Sequence, residues 1–215
     1  MHEIKNILIA VSIWVIIIPV ITGSWLIKRM SRDSLIVFLL VILATPPQLI
    51  TSFVALRTKT LNVFYNVYTP CEFIFLFWLF YNKYKSKTNN LVFRTTGFLY
   101  LIVSVVIILK FSITKTFLNE WTSVNNVFYI LWVLLYVSEV FYFDKDEMSL
   151  NNPFLFYMLG VFIYAQCSVL LFALYYYISQ NITLGETWML QSIGNIIMYI
   201  LFTFGFFINK KSSSQ

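Results

Sequence analysis

Seven apolar runs, separated only by short charged or Asn/Ser/Lys-rich islands, fill this chain from Ile7 to Ile208. The hydrocarbon core of a bilayer takes about 20 mostly apolar residues per helix. Cut at the islands, the sequence gives Ile7 to Ile27, Leu35 to Leu56, Val63 to Tyr81, Leu91 to Leu109, Val124 to Phe143, Pro153 to Ile178 and Trp188 to Ile208. In lipid every backbone N–H and C=O must find its partner within the protein, which makes helices the conformer for runs of this kind. They lack the alternation of a membrane β-barrel. The expected fold is all-α, a polytopic transmembrane bundle of seven helices forming a single domain over residues 1–215. With 60% apolar and 11% charged residues, no stretch is left for a soluble domain of ordinary size.

Charge sets the expected orientation. The first, third and fifth loops with the tail carry Lys28, Arg29, Arg32, Lys83, Lys85, Lys87, Arg94, Lys145, Lys210 and Lys211. The opposite side carries Lys5, Arg57, Lys59, Lys110 and Lys115. Basic residues gather on the cytoplasmic side of membrane proteins, so the N-terminus is expected outside and the C-terminus in the cytoplasm. The net charge of +6 is spread over these islands and forms no basic stripe on a globular face, so nucleic acid is not an expected partner. Lys28, Arg29 and Arg32 follow the first run, which is too long and too basic on that side for a cleaved leader and reads as a retained helix.

Few residues offer chemistry. His2 is the only histidine, and Cys71 and Cys167 both fall inside apolar runs, where buried free thiols are expected. No metal site, cofactor or catalytic residue is assigned. Pro19, Pro46, Pro47 and Pro70 lie in the first three segments, each removing a backbone donor, so that half of the bundle is expected to be irregular. The connection from Lys110 to Trp121, with Phe111, Ile113, Phe117 and Leu118, is expected to lie along the membrane interface. Tyr175, Tyr176 and Tyr177 suit an interfacial belt, and Asn181-Ile182-Thr183 matches a glycosylation acceptor pattern.

Ionisable and polar groups within a span are costly and mark candidate sites. Asn62, Asn66, Thr69 and Glu72 recur at helical spacing on the third segment, with Tyr65 and Tyr68 alongside. Asn125, Tyr129, Trp132, Tyr136 and Glu139 make a second stripe on the fifth. Gln191 and Asn195 share a face of the seventh, and Gln166 lies midway along the sixth. The candidates for binding a ligand or proton are Glu72, Asn66, Thr69, Tyr65, Tyr68, Glu139, Tyr136, Gln166, Gln191 and Asn195. Two readings stand for each acid. Glu72 either binds a cation, proton or ligand or is hydrogen-bonded glue between helices; Glu139 either sits at an inner mouth or, the favoured reading, simply reaches the headgroup region.

Four families bear on these residues. Retinal-binding seven-helix proteins carry a lysine in the last helix, and Trp188 to Ile208 contains none, which excludes them. Pro47-Gln48 resembles the signature pair of PQ-loop transporters, which carry it in the first and fifth helices rather than the second. Pro70-Cys71-Glu72-Phe73 half resembles the motif of membrane-embedded carotenoid cyclases, with Phe73 in place of the second acid, and implies at most a lipid-active enzyme. Across its length, with its short loops, its glutamate in the third helix and Asn152-Pro153-Phe154 opening the sixth, the chain resembles uncharacterised small seven-helix membrane proteins of AT-rich bacteria. That resemblance implies a bacterial cytoplasmic (inner) membrane and no particular activity.

The expected function is a multi-pass membrane sensor or accessory module acting through partners, since no nucleotide loop or nucleophile–base pair is present. Its partners would be the lipid bilayer and a membrane or cytoplasmic protein meeting the loops Asn82 to Asn90 and Asp144 to Asn152. The alternatives are a small secondary transporter using a polar seam around Glu72, and an intramembrane enzyme on a lipophilic substrate with Glu72 as general acid or base. Oligomeric state is not legible.

Overall fold

The computed structural model describes residues 2–53, 59–110, 119–143, 149–173 and 184–212, and holds no strand among them. Tyr175 to Tyr177, the acceptor pattern at Asn181, the acidic island 144–147 and the stretch 111–118 lie outside the described residues. Seven helices are long and apolar enough to cross a membrane: Asn6–Arg29, Arg32–Ile50, Val63–Phe80, Lys87–Lys110, Glu120–Phe143, Pro153–Leu171 and Met189–Asn209.

Each span matches one apolar run of the sequence. The first is built from α1 (His2–Trp14), α2 (Ile17–Leu26) and a 3-10 turn at Ile27–Arg29. The others are α3 (Arg32–Phe53), α4 (Lys59–Phe80), α5 (Lys87–Lys110), α6 (Asn119–Phe143), α7 (Pro153–Ala173) and α8 (Leu184–Ser212). The expected irregularity is confined to one place. Pro19 has no N–H for the carbonyl of Val15, which instead accepts from Ile18 at 3.0 Å, and the helix is interrupted at Val15 and Ile16. Pro46, Pro47 and Pro70 lie inside unbroken helices.

The first span packs on α8, α8 on α7, α7 on α6, α6 on α5 and α4, α4 on α3, and α3 back on α1 and α2. The helices therefore close a ring around a common interior. Aliphatic and aromatic side chains such as Ile21, Trp25, Ile74, Leu101, Leu109 and Phe204 point outward, as lipid-facing positions should.

Two ends can be distinguished. At the basic end, Asn209 Nδ2 donates to the carbonyl of Arg29 and Asn209 Oδ1 accepts from the N–H of Ser31, while Lys83 is ion-paired with Asp33 and lies over the Phe154 ring. The first and third loops, the start of α7 and the last turns of α8 thus meet there. The interior nearest this end is aromatic. Trp132 has Phe73, Phe77, Phe80, Phe93 and Tyr129 around it at centroid distances of 5.0–6.1 Å, and Tyr157, Phe202, Phe206 and Phe38 fill the other side. The interior towards the opposite end is polar: Asn66, Thr69, Thr122, Asn125, Asn126, Ser168 and Ser192 are all buried there. Trp121 belongs to that half too. It is 2% exposed and donates through Nε1 to Ser104 Oγ at 3.0 Å, so it is a bundle residue and not part of an interfacial connection.

Candidate functional site

Glu72 lies where the polar and aromatic halves meet. Helical periodicity puts Asn66, Thr69 and Glu72 on the buried face of α4, and these three are 2%, 5% and 6% exposed. Tyr68, one turn before Glu72, donates its hydroxyl to Glu72 Oε1 at 3.1 Å. The next turn of α4 brings Phe73 and Leu76, both buried, and from there the face is apolar.

The face is tied to its neighbours through backbone oxygens. Thr69 Oγ1 donates to the carbonyl of Tyr65 at 2.9 Å, and Asn125 Nδ2 reaches from α6 to the carbonyl of Thr69 at 3.0 Å and to Tyr129 Oη at 3.3 Å. Pro70 falls in the same turn and offers no N–H to the carbonyl of Asn66, yet the helix runs through it unbroken.

A cavity of about 10 Å³, enough for a single water-sized occupant, touches the Glu72 side chain. Tyr68, Tyr164 and Tyr199 share it with Glu72, and Leu76 and Phe202 close it towards the aromatic half. Three helices, α4, α7 and α8, thus each bring a tyrosine to the cavity beside Glu72. One of these rings is held from behind. Tyr199 donates to Gln48 Oε1 at 2.8 Å, and Gln48 Nε2 donates to the carbonyl of Ser12 at 2.9 Å, a brace through α8, α3 and α1. Ser168 and Gln191 lie beside the Tyr164 hydroxyl. Further along the polar half, Thr122 Oγ1 and Asn126 Oδ1 are buried oxygens with no hydrogen-bond partner among the described residues.

The second acid has another fate. Glu139 is 2% exposed, and its carboxylate accepts the backbone N–H groups of Lys85 and Ser86 and the side-chain amide of Asn89 at 2.6 Å. The two backbone amides lie just before α5 and Asn89 lies in its first turn, so Glu139 ties the approach to that helix to α6. This corrects the expectation that Glu139 reaches into the headgroup region: it is folded inward because the start of α5 supplies the donors that water would otherwise supply. Beside it, Tyr84 donates to the carbonyl of Trp132 at 2.9 Å, and burial, with Glu139 and Tyr136 nearby, pushes its phenol well up from the usual value near 10.

The remaining candidates divide. Tyr65 is half-buried on the same helix, and Gln191 and Asn195 are half-buried on α8. Tyr136 is fully enclosed but stacks edge-on against Phe154 at 4.8 Å, in the aromatic packing and away from the cavity. Gln166 is exposed on α7, so it does not join the seam. Cys71 and Cys167 are free thiols, half-buried rather than buried. Among the described residues, no three His, Cys, Asp or Glu side chains gather where they could hold a metal ion.

Sequence reasoning missed Tyr164, Tyr199 and Gln48. The signal for Tyr199 was present, since Gln191, Asn195 and Tyr199 follow one another at intervals of four on the same face of α8. The chain matches no protein-family model, no curated protein and no solved structure.

Proposed function

We propose that this chain is a sensor or accessory module of a bacterial cytoplasmic (inner) membrane, with its N-terminus outside and its C-terminus in the cytoplasm. It takes a small monovalent cation or proton at Glu72 and acts through a protein partner at its basic end. The observation that carries this reading is the position of Glu72, a buried carboxyl that ends the polar half of the interior directly on packed aromatic side chains. An ion arriving through the polar half meets hydroxyls and amide oxygens as far as Glu72 and a wall of rings beyond it. Such a one-sided site suits detection better than passage. The orientation rests on the gathering of basic residues at one end, and the bacterial membrane on the diffuse resemblance noted from the sequence.

The small secondary transporter is the second reading. It is favoured by Pro19, Pro46, Pro47 and Pro70, all of which fall in spans whose helices are packed or braced around the Glu72 cavity, with the first span broken outright. An intramembrane enzyme has less support, because Glu139 is committed to the approach to α5 and, among the described residues, no second acid faces Glu72.

Reconstitution separates the two. Purified chain in lipid nanodiscs should be stabilised against unfolding by one of lithium, sodium, potassium or acid at constant ionic strength, and Glu72→Gln should lose that response while keeping its helix content. In proteoliposomes the same cation should not accumulate above the level of empty vesicles. Accumulation that Glu72→Gln abolishes would establish the transporter instead.

A further inference from the structure

The outer surface of α4 carries a second, unrelated arrangement at the basic end. Trp78, in the last turn of α4, and Tyr81, the residue just past its end, are three residues apart and are 49% and 40% exposed. Arg32, the first residue of α3, places its guanidinium carbon 5.5 Å from the Trp78 ring centroid. Arg94, in the second turn of α5, does the same over Tyr81 at 5.6 Å. Two cations from two flanking helices therefore converge on one aromatic pair.

A guanidinium drawn to a ring by its charge spends none of its N–H donors on a conventional hydrogen bond there. Neither arginine has a hydrogen bond or ion pair among the described residues, and the acid next to Arg32, Asp33, is held by Lys83. The α4 surface continues from this pair as an exposed apolar stripe through Ile74 and Val67, 61% and 54% exposed. Positive, hydrogen-bonding edges thus sit at one end of an aliphatic track that runs into the depth of the bilayer.

We infer that Arg32, Trp78, Tyr81 and Arg94 form a binding site for the phosphate headgroup of an anionic phospholipid, whose acyl chain lies along Ile74 and Val67. Charge complementarity selects this occupant, since two open guanidiniums reward a phosphate and a zwitterionic headgroup offsets that attraction with its own ammonium. The site is separate from Glu72, which faces the interior from the opposite side of α4, and it stands whether or not that acid binds an ion.

The test uses the full chain in detergent and native mass spectrometry with added phosphatidylglycerol or phosphatidylcholine. Wild type should retain phosphatidylglycerol in preference, and the double variant Arg32→Gln/Arg94→Gln should retain roughly tenfold less. The variant Lys28→Gln/Arg29→Gln removes the same charge from the same end and should retain it as wild type does. Equal loss in both variants would mean that net charge alone attracts the lipid, and no loss in the first would mean the arginines do not hold it; either overturns the proposal. Should the arginine variant misfold, brominated phosphatidylglycerol in nanodiscs gives an independent measure. It should quench wild type more than Trp78→Phe, by a margin that brominated phosphatidylcholine does not produce, and an equal margin from both lipids overturns the site. Relief of that quenching by inorganic phosphate at millimolar concentration would assign the pocket to free phosphate and also overturn it.

Discussion

Glu139 on α6 accepts the backbone N–H of Ser86, the residue that precedes α5, and thereby fixes the third loop to a helix more than fifty positions further along the chain. The contact turns an acid with no water to hydrate it into a structural fastening. Hydrogen bonds to a charged group contribute about 1.5–3 kcal/mol each, and a buried charge without them is costly. Glu139→Ala should therefore destabilise the chain by at least about 2 kcal/mol in a detergent-unfolding titration. Hydrogen exchange should rise first at Lys85 to Asn90, and Asn89→Ala should reproduce a smaller part of the loss.

Tyr68 and Glu72 form a single neutral-donor hydrogen bond inside the bundle. Tyr68→Phe should cost about 1 kcal/mol of stability, and Glu72→Gln less, because the amide keeps an oxygen for Tyr68. The same two variants should differ in ion response. Tyr68→Phe keeps a weakened response and Glu72→Gln has none, measured as the salt-dependent shift in the unfolding midpoint.

Sequence periodicity made the spans and the buried faces of α4 and α6 legible, because apolar length and 3.6-residue spacing are properties of one helix at a time. Asn66, Thr69, Glu72, Asn125 and Tyr129 all face inward as their spacing requires. What spacing could not give was which helix stands opposite. Gln48 resembles half of a transport motif and is a brace between α1 and α8, while Tyr164, which no motif singles out, lines the Glu72 cavity. Gln166 failed for the same reason, since a polar residue in a span says nothing of its direction unless neighbours at helical spacing share its character.

Trp132 fastens the aromatic half, donating through Nε1 to Thr96 Oγ1 at 2.7 Å with five rings around it. Trp132→Ala should cost about 3–5 kcal/mol, as for large aromatic deletions in packed cores. Trp132→Phe should cost less. Both are read by the same unfolding titration, with intrinsic fluorescence reporting loosened packing.

At Gly205 the ring of Tyr157 occupies the place a Cβ would take. Gly205→Ala should destabilise by about 1–3 kcal/mol through overpacking. Combining it with Tyr157→Phe should bring no relief, since the ring and not its hydroxyl is the obstacle.

The raised phenol of Tyr84 gives an alkaline signature. A group whose folded value lies above its unfolded value contributes stability below about pH 10, and that contribution falls as the pH climbs towards the folded value, because the unfolded chain ionises first. Wild type should exceed Tyr84→Phe by about 1 kcal/mol at pH 8, from the bond to the Trp132 carbonyl. Unfolding titrations repeated between pH 8 and 11 should show that difference shrinking above pH 10.

The commitment of Glu139 to the start of α5 also fixes a stoichiometry. Of the two buried acids among the described residues, one carboxylate is saturated by amide donors and the other, Glu72, keeps an oxygen beyond its bond to Tyr68. Any ionic response seated in this interior therefore counts one elementary charge per chain. Its dependence on cation concentration should follow a simple hyperbola, and a steeper curve would have to arise between chains.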